Sequence, residues 1–96
     1  MSSTQDCTHT QPGDWVVYIL RCADQSLYTG ISNNFTRRLA QHQAGTASRY
    51  TRVRLPVEVV HVEAASDRGS ATRREMEIKK LSRTGKLALF DPDRPS

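Results

Sequence analysis

Apolar and polar positions change period several times along this chain, and each change marks an element. Trp15 to Leu20, WVVYIL, is the longest uninterrupted apolar run, rich in aromatic and β-branched residues. After the polar stretch CADQS the pattern resumes from Leu27 to Ile31. Two such runs joined by a short polar turn predict a β-hairpin with antiparallel strands. Side chains alternate along a strand, so Val16, Tyr18 and Leu20 share one face of the first strand. Tyr28 and Gly30 share one face of the second. The register between the strands stays open at this level.

The period then lengthens. SNNFTRRLAQHQAG begins with asparagines suited to a helix N-cap and ends in Gly45, suited to a C-cap, which predicts a helix over 35–44. At about 100° per residue, Phe35, Leu39 and His42 form its core stripe. Arg38 lies about 40° from His42 at the edge of that stripe, whereas Arg37 points away into solvent. TASRYTRVRLP has no period and reads as a basic loop closed by Pro56. VEVVHVE, residues 57–63, alternates again and predicts a third strand in which His61 has a packing role.

Ser70 is suited to cap a second helix, ATRREMEIKKLSR, expected over about 70–83 with Ala71, Ile78 and Leu81 facing inward. Glu75 lies about 40° from Ala71 and about 60° from Ile78, while Glu77 is about 100° from Ile78. Glu77 lies near Leu81, and the wheel as a whole favours Glu75 as the inward acid. KLALF adds a last short apolar element, which Pro92 and Pro95 keep from extending. The expected architecture is α/β: a small three-stranded, mostly antiparallel sheet flanked by helices. A polar leader over 1–14 and a tail over 91–96, both expected to be mobile, enclose one domain over 15–90.

Charge changes this picture more than composition does. The whole chain of 96 residues carries a formal +4, yet residues 15–90 hold thirteen Lys and Arg against six Asp and Glu. That surplus of seven on so small a body suits a polyanion such as nucleic acid or an acidic membrane surface. The two cysteines, Cys7 and Cys22, make neither a disulfide framework nor a zinc site, and Cys7 with His9 supplies too few ligands for a tetrahedral metal. A reducing, cytoplasmic setting fits this usage, and the apolar runs are too short for membrane insertion.

Taken together, VYI, YTG, NNFTRRLAQH and ATRREMEIKKL follow one another in an order and spacing that resemble the GIY-YIG nuclease family. VYI stands where that family has GIY, and YTG stands where it has YIG. The chain is most similar to its short stand-alone bacterial members, in which a stretch like ASRYTRVRLPVEVVHVE links the first helix to the third strand. It departs from the family pattern at Val17, which replaces the first glycine, and in lacking a clear asparagine after the last helix.

The resemblance implies a metal-dependent endonuclease-like domain that hydrolyses DNA phosphodiesters, structure-selective and linked to repair or recombination. Its site would lie on one sheet face between the hairpin and the two helices. Tyr18 would serve as general base and Tyr28 as the positioning phenol. Arg38 would neutralise charge on the scissile phosphate, and His42 would orient a tyrosine or touch phosphate. Glu75 would hold the metal, Mg²⁺ or Mn²⁺.

The acids of the folded segment are few and scattered, so a one-ion site is the most this chain can build. Each assignment has a plainer counterpart: strand aromatics, a solvated arginine, a packed histidine, and a Glu75–Lys79 surface pair. Gly30 either admits a phosphate close to the backbone or marks a bulge. Arg49, Arg52 and Arg54 in the basic loop, with Lys79, read as phosphate contacts. Tyr50 either stacks on an unpaired base or folds onto the core. The expected partner is nucleic acid, DNA ahead of RNA, with no membrane. The competing functions are a non-catalytic nucleic-acid-binding module that retains the fold, and a small adaptor docking through the third strand or KLALF.

Overall fold

The computed structural model describes residues 14–90. The expected leader, apart from Asp14, and the expected tail lie outside the described residues. The order of elements is β1 (Trp15–Arg21), β2 (Leu27–Ser32), α1 (Phe35–Ala44), α2 (Arg49–Arg52), β3 (Glu58–Ala65), α3 (Arg68–Lys80) and α4 (Arg83–Phe90). The strands form one antiparallel sheet in the order β2-β1-β3. The apolar WVVYIL run is thus the central strand. Both its faces are covered, which explains why it lacks the polar alternation of a half-exposed strand.

Two clusters build the core, one on each side of β1. Val16, Tyr18 and Leu20 pack with Phe35, Val57 and the partly buried Leu39 on one face. Val17 and Ile19 pack with Ala71 and Ile78 on the other. Helices α1 and α3 therefore lie on opposite faces of the sheet. This corrects the expectation that the hairpin and both helices enclose a single face.

Helix α1 has the predicted bounds. Asn34 caps it by accepting from the Arg37 backbone N–H at 3.2 Å, and Gly45, at φ +80°, ends it in the left-handed conformation that glycine adopts without steric cost. Helix α3 departs from prediction at both ends. Asp67 caps it instead of Ser70, its carboxylate accepting from the Ser70 N–H at 2.7 Å. A charged acceptor at a helix N-terminus outbids a hydroxyl three residues on. At the other end Leu81, expected on the buried side, is an extended cap residue and 38% exposed. The break there starts α4, which carries Leu89 and Phe90 back onto the second cluster, so KLALF becomes helical.

The basic loop contains structure that its sequence pattern did not show. Ser48 accepts from the Tyr50 N–H and opens the single turn of α2. Arg54 then ties this segment to the hairpin turn. Its side chain donates to Asp24 Oδ2 at 3.0 Å and to the Tyr50 carbonyl at 3.0 Å, and its guanidinium lies 3.9 Å from the centre of the Tyr50 ring. A salt bridge, a backbone contact and a cation–π contact on one side chain make Arg54 a clamp between this segment and the hairpin turn. The third strand runs to Ala65, two residues beyond prediction. Its pairing with β1 shifts between Ile19 and Leu20, which leaves Val60 as the bulged residue. His61 Nε2 donates to Glu63 Oε2 at 2.7 Å, and Arg74 donates to the same carboxylate from α3. His61 is thus the packing histidine expected.

Candidate active site

Gly30 sets the position of Tyr18. The two residues are directly opposed between β1 and β2. A Cβ at Gly30 would come within 2.6 Å of the Tyr18 hydroxyl oxygen and 2.7 Å of Cζ. The phenol ring therefore lies across β2 over the glycine. The close approach expected of a phosphate at Gly30 is made by Tyr18 itself. The sheet irregularity lies on β3, so the alternative reading of Gly30 as a bulge also fails.

Across β2 the Tyr18 hydroxyl meets His42 Nε2 at 2.9 Å, and His42 Nδ1 meets Thr51 Oγ1 at 2.9 Å. Thr51 donates its hydroxyl hydrogen to the Ser48 carbonyl, at 3.4 Å. Its oxygen is then left to accept, so Nδ1 carries the ring hydrogen and Nε2 accepts from Tyr18. All three side chains are buried. Burial lowers the His42 pKa below its ordinary 6.5, and the nearby Arg38 charge adds to the effect. His42 is consequently neutral at neutral pH, which the acceptor role requires.

This pair has a consequence for stability. Because the folded pKa is depressed, the unfolded chain binds this proton more readily. The stability it contributes is complete above pH 6.5 and is lost as pH falls through 6.5 toward the lowered folded value. Thermal denaturation should show the wild-type midpoint falling over that window, and His42→Gln should flatten that part of the profile. An unchanged slope in the variant would show that His42 does not titrate as described.

Burial drives the Tyr18 phenol well above the ordinary tyrosine value; neighbouring Tyr28 and Glu75 push in the same direction, while the Arg38 guanidinium opposes them. Tyr18 thus senses Arg38 from α1 and Glu75 from α3, although those helices cover opposite faces. Of the four groups expected to act together, the two phenols are direct neighbours. Tyr28 lies beside Tyr18, with ring centroids 6.5 Å apart, and beside His42 at 5.2 Å.

The two tyrosines differ in access. Tyr18 is 1% exposed, whereas Tyr28 is half-buried. A phenol that is sealed in, has given its hydrogen bond to histidine and resists ionisation is poorly suited to meeting water, so the preference for Tyr18 as the base is not supported. Glu75 faces inward, its side chain 19% exposed, while Glu77 is exposed and pairs with Arg74. Lys79 Nζ lies 3.3 Å from Glu75 Oε2, so the surface pair and the inward position coexist. Lys79 thus serves the carboxylate before it serves any phosphate.

The remaining candidates divide. Arg49 and Arg52 are exposed on α2, open to a polyanion. Tyr50 sits 5.9 Å from Tyr28 by ring centroids and beneath Arg54, folded against the site with 38% of its surface still exposed. Thr51 was missed by sequence reasoning. A serine ahead of a short polar run is a helix-start signal that reveals α2, but no local signal joins Thr51 to His42. Arg37 is exposed as expected, yet together with Arg38, Arg68 and Trp15 it lines a cleft of about 360 Å³ beside the start of α1.

The GIY-YIG catalytic domain description matches residues 14–88, nearly the whole described chain. The chain belongs to the GIY-YIG family. It is 52% identical over 76 residues to a UPF0213 protein of Natronomonas pharaonis, covering 79% of this chain and 89% of that one. The solution NMR structure of a UPF0213 protein from Bacillus halodurans shares 39% identity with a TM-score of 0.55, covering 83% of this chain and 85% of that one. A second NMR structure, of a protein from E. faecalis, shares 35% identity with a TM-score of 0.56 over 86% and 92% of the two chains. The chain is thus a GIY-YIG domain with the three-stranded antiparallel sheet and flanking helices found in these small proteins. In this GIY-YIG domain no described helix is long and apolar enough to cross a membrane.

Proposed function

We propose that this GIY-YIG domain is an endonuclease that hydrolyses DNA phosphodiesters with the help of a divalent cation. The observation that carries the reading is the pair of phenols with ring centroids 6.5 Å apart, held against His42 of α1 one turn after Arg38. Phosphodiester hydrolysis needs a positioned water and a counter-charge for the phosphate as negative charge builds. Half-buried Tyr28 is the phenol placed to receive that water, and buried Tyr18, braced by His42 and Thr51, sets its surroundings. Arg38 supplies a planar, permanently charged donor for the phosphate oxygens.

The donor set suits one hard ion. No group of three or more His, Cys, Asp or Glu side chains able to hold a metal occurs among the described residues, and Glu75 is an inward carboxylate with its side chain 19% exposed. Mg²⁺, or Mn²⁺ in its place, commonly binds through one or two carboxylates and completes its shell with water and phosphate oxygens. When bound, such an ion acts as a Lewis acid on the phosphate. Glu75 would hold it in place of Lys79, whose exposed ammonium is then free to turn toward the strand.

The test is incubation of the purified protein with labelled single-stranded, flapped and branched DNA, with and without Mg²⁺. Cleavage that needs the ion and falls on the order of 10²-fold or more in Tyr28→Phe supports this reading, in line with the loss of one group acting at the transition state. Binding without cleavage under any divalent ion would establish instead the non-catalytic module. The Glu75–Lys79 pair, which satisfies the carboxylate without a metal, favours that second reading.

A further inference from the structure

The cleft beside the start of α1 is not part of the phenol-centred site, although Arg38 borders both. Trp15 enters it from the beginning of β1, Arg37 and Arg38 from α1, and Arg68 from the first turn of α3. Asn33 and Gln41 add amide groups, and no carboxylate is among the lining residues. Three guanidinium groups around one hollow repel one another, a cost that an anion relieves. The hollow is about 360 Å³, within the range of pockets that take a small organic ligand. Its half-buried indole offers an aromatic surface beside those charges.

Phosphate beside an aromatic platform is the chemistry of a nucleotide. Base stacking on an aromatic side chain contributes about 1–3 kcal/mol and tolerates any base, and arginines track the backbone. We infer that this cleft is a subsite for one unpaired nucleotide of the bound strand, its base against Trp15 and its flanking phosphate on Arg37 and Arg68. Arg38 joins the subsite to the scissile position, so the nucleotide it takes lies next to the bond cut. The inference rests on the proposed nuclease reading. It adds that the strand must be unpaired there, because a base held in a duplex cannot present its face to the indole.

Trp15 is the single tryptophan of the chain, so its fluorescence reports on this cleft alone. Titration of the full chain with a short thymidylate single strand, in chelator and at low salt, separates binding from cleavage. Quenching of the fluorescence is expected in wild type. An abasic strand of the same length should bind in an Arg37- and Arg68-dependent manner with little quenching. In the double variant Arg37→Ala/Arg68→Ala the slope of log affinity against log salt should shrink by roughly 0.7, the value for one phosphate contact on a single strand. Binding and cleavage of the strand with unchanged fluorescence, or a salt slope that the double variant leaves intact, would overturn the subsite while the nuclease reading stands. Absence of any binding at low salt would overturn both.

Discussion

Glu75→Gln is expected to abolish DNA cleavage while leaving the fold and DNA binding intact. Glu75 is the one acid that α3 turns toward the phenol pair, and the described residues contain no cluster of ligands that would substitute for it. Glutamine keeps the volume and one oxygen but loses the charge that a hard divalent cation requires. The loss should be on the order of 10²–10³-fold or greater, the scale of removing one electrostatic contributor to a transition state. Stability should barely move. The ion pair that disappears joins Glu75 to a lysine that is 56% exposed, and such i,i+4 pairs contribute only about 0.2–0.5 kcal/mol. Removing a negative charge near the scissile phosphate should, if anything, strengthen binding. Parallel measurement of cleavage, binding and thermal midpoint decides the matter, and a variant that still cuts at the wild-type rate would remove Glu75 from the chemistry.

Gly30→Ala should be the more damaging change to the protein as a whole. The added methyl would sit 2.6 Å from the Tyr18 hydroxyl oxygen and 2.7 Å from Cζ, far inside contact distance. Tyr18 has no easy retreat. Its ring is 5.1 Å by centroids from that of Phe35, its hydroxyl is bonded to His42, and it is fully enclosed. Either the ring or β2 must shift, and overpacking of this kind costs about 1–3 kcal/mol. The shift also breaks the Tyr18–His42 contact and moves neighbouring Tyr28, so cleavage should fall with stability. Gly69→Ala is the control, because a Cβ there meets nothing closer than 3.5 Å and lies in helix α3. It should be neutral or stabilising by up to about 1 kcal/mol. Chemical denaturation of the two variants tests the contrast. Equal stability would mean that the Tyr18 ring does not lie over Gly30.

Much of the molecule was open to sequence reading wherever a local rule applied. The alternation around Tyr18 and Tyr28, the caps Asn34 and Gly45, and the stripe of Phe35, Leu39 and His42 all rest on neighbours within a few residues. The angular difference that separated Arg38 from Arg37 and Glu75 from Glu77 likewise needs only the pitch of a helix. Local rules also explain the misses. Asp67 took the cap from Ser70 because two capping residues stood close together, and propensity alone did not rank a charged acceptor against a hydroxyl. The helix over KLALF followed from the chance to pack Leu89 and Phe90 on the sheet, a contact between distant segments.

The sequence by itself therefore determined the three strands and the two longer helices in their order, the family, and Tyr18, Tyr28, Arg38 and Glu75 as candidates, whereas the place of β1 at the centre of the sheet came only with the fold. The tertiary structure alone decided that α1 and α3 lie on opposite faces, that Tyr18 rather than a phosphate fills the space at Gly30, and that Tyr28 is the phenol left accessible. It also decided that Thr51 orients His42, that Arg54 spends its charge on Asp24 and Tyr50, and that Arg68 joins Arg37 and Arg38 around one cleft. The reason is range. Periodicity and capping act over a turn or two of chain, whereas strand register, burial and charge pairing depend on which distant segments the folded chain brings into contact.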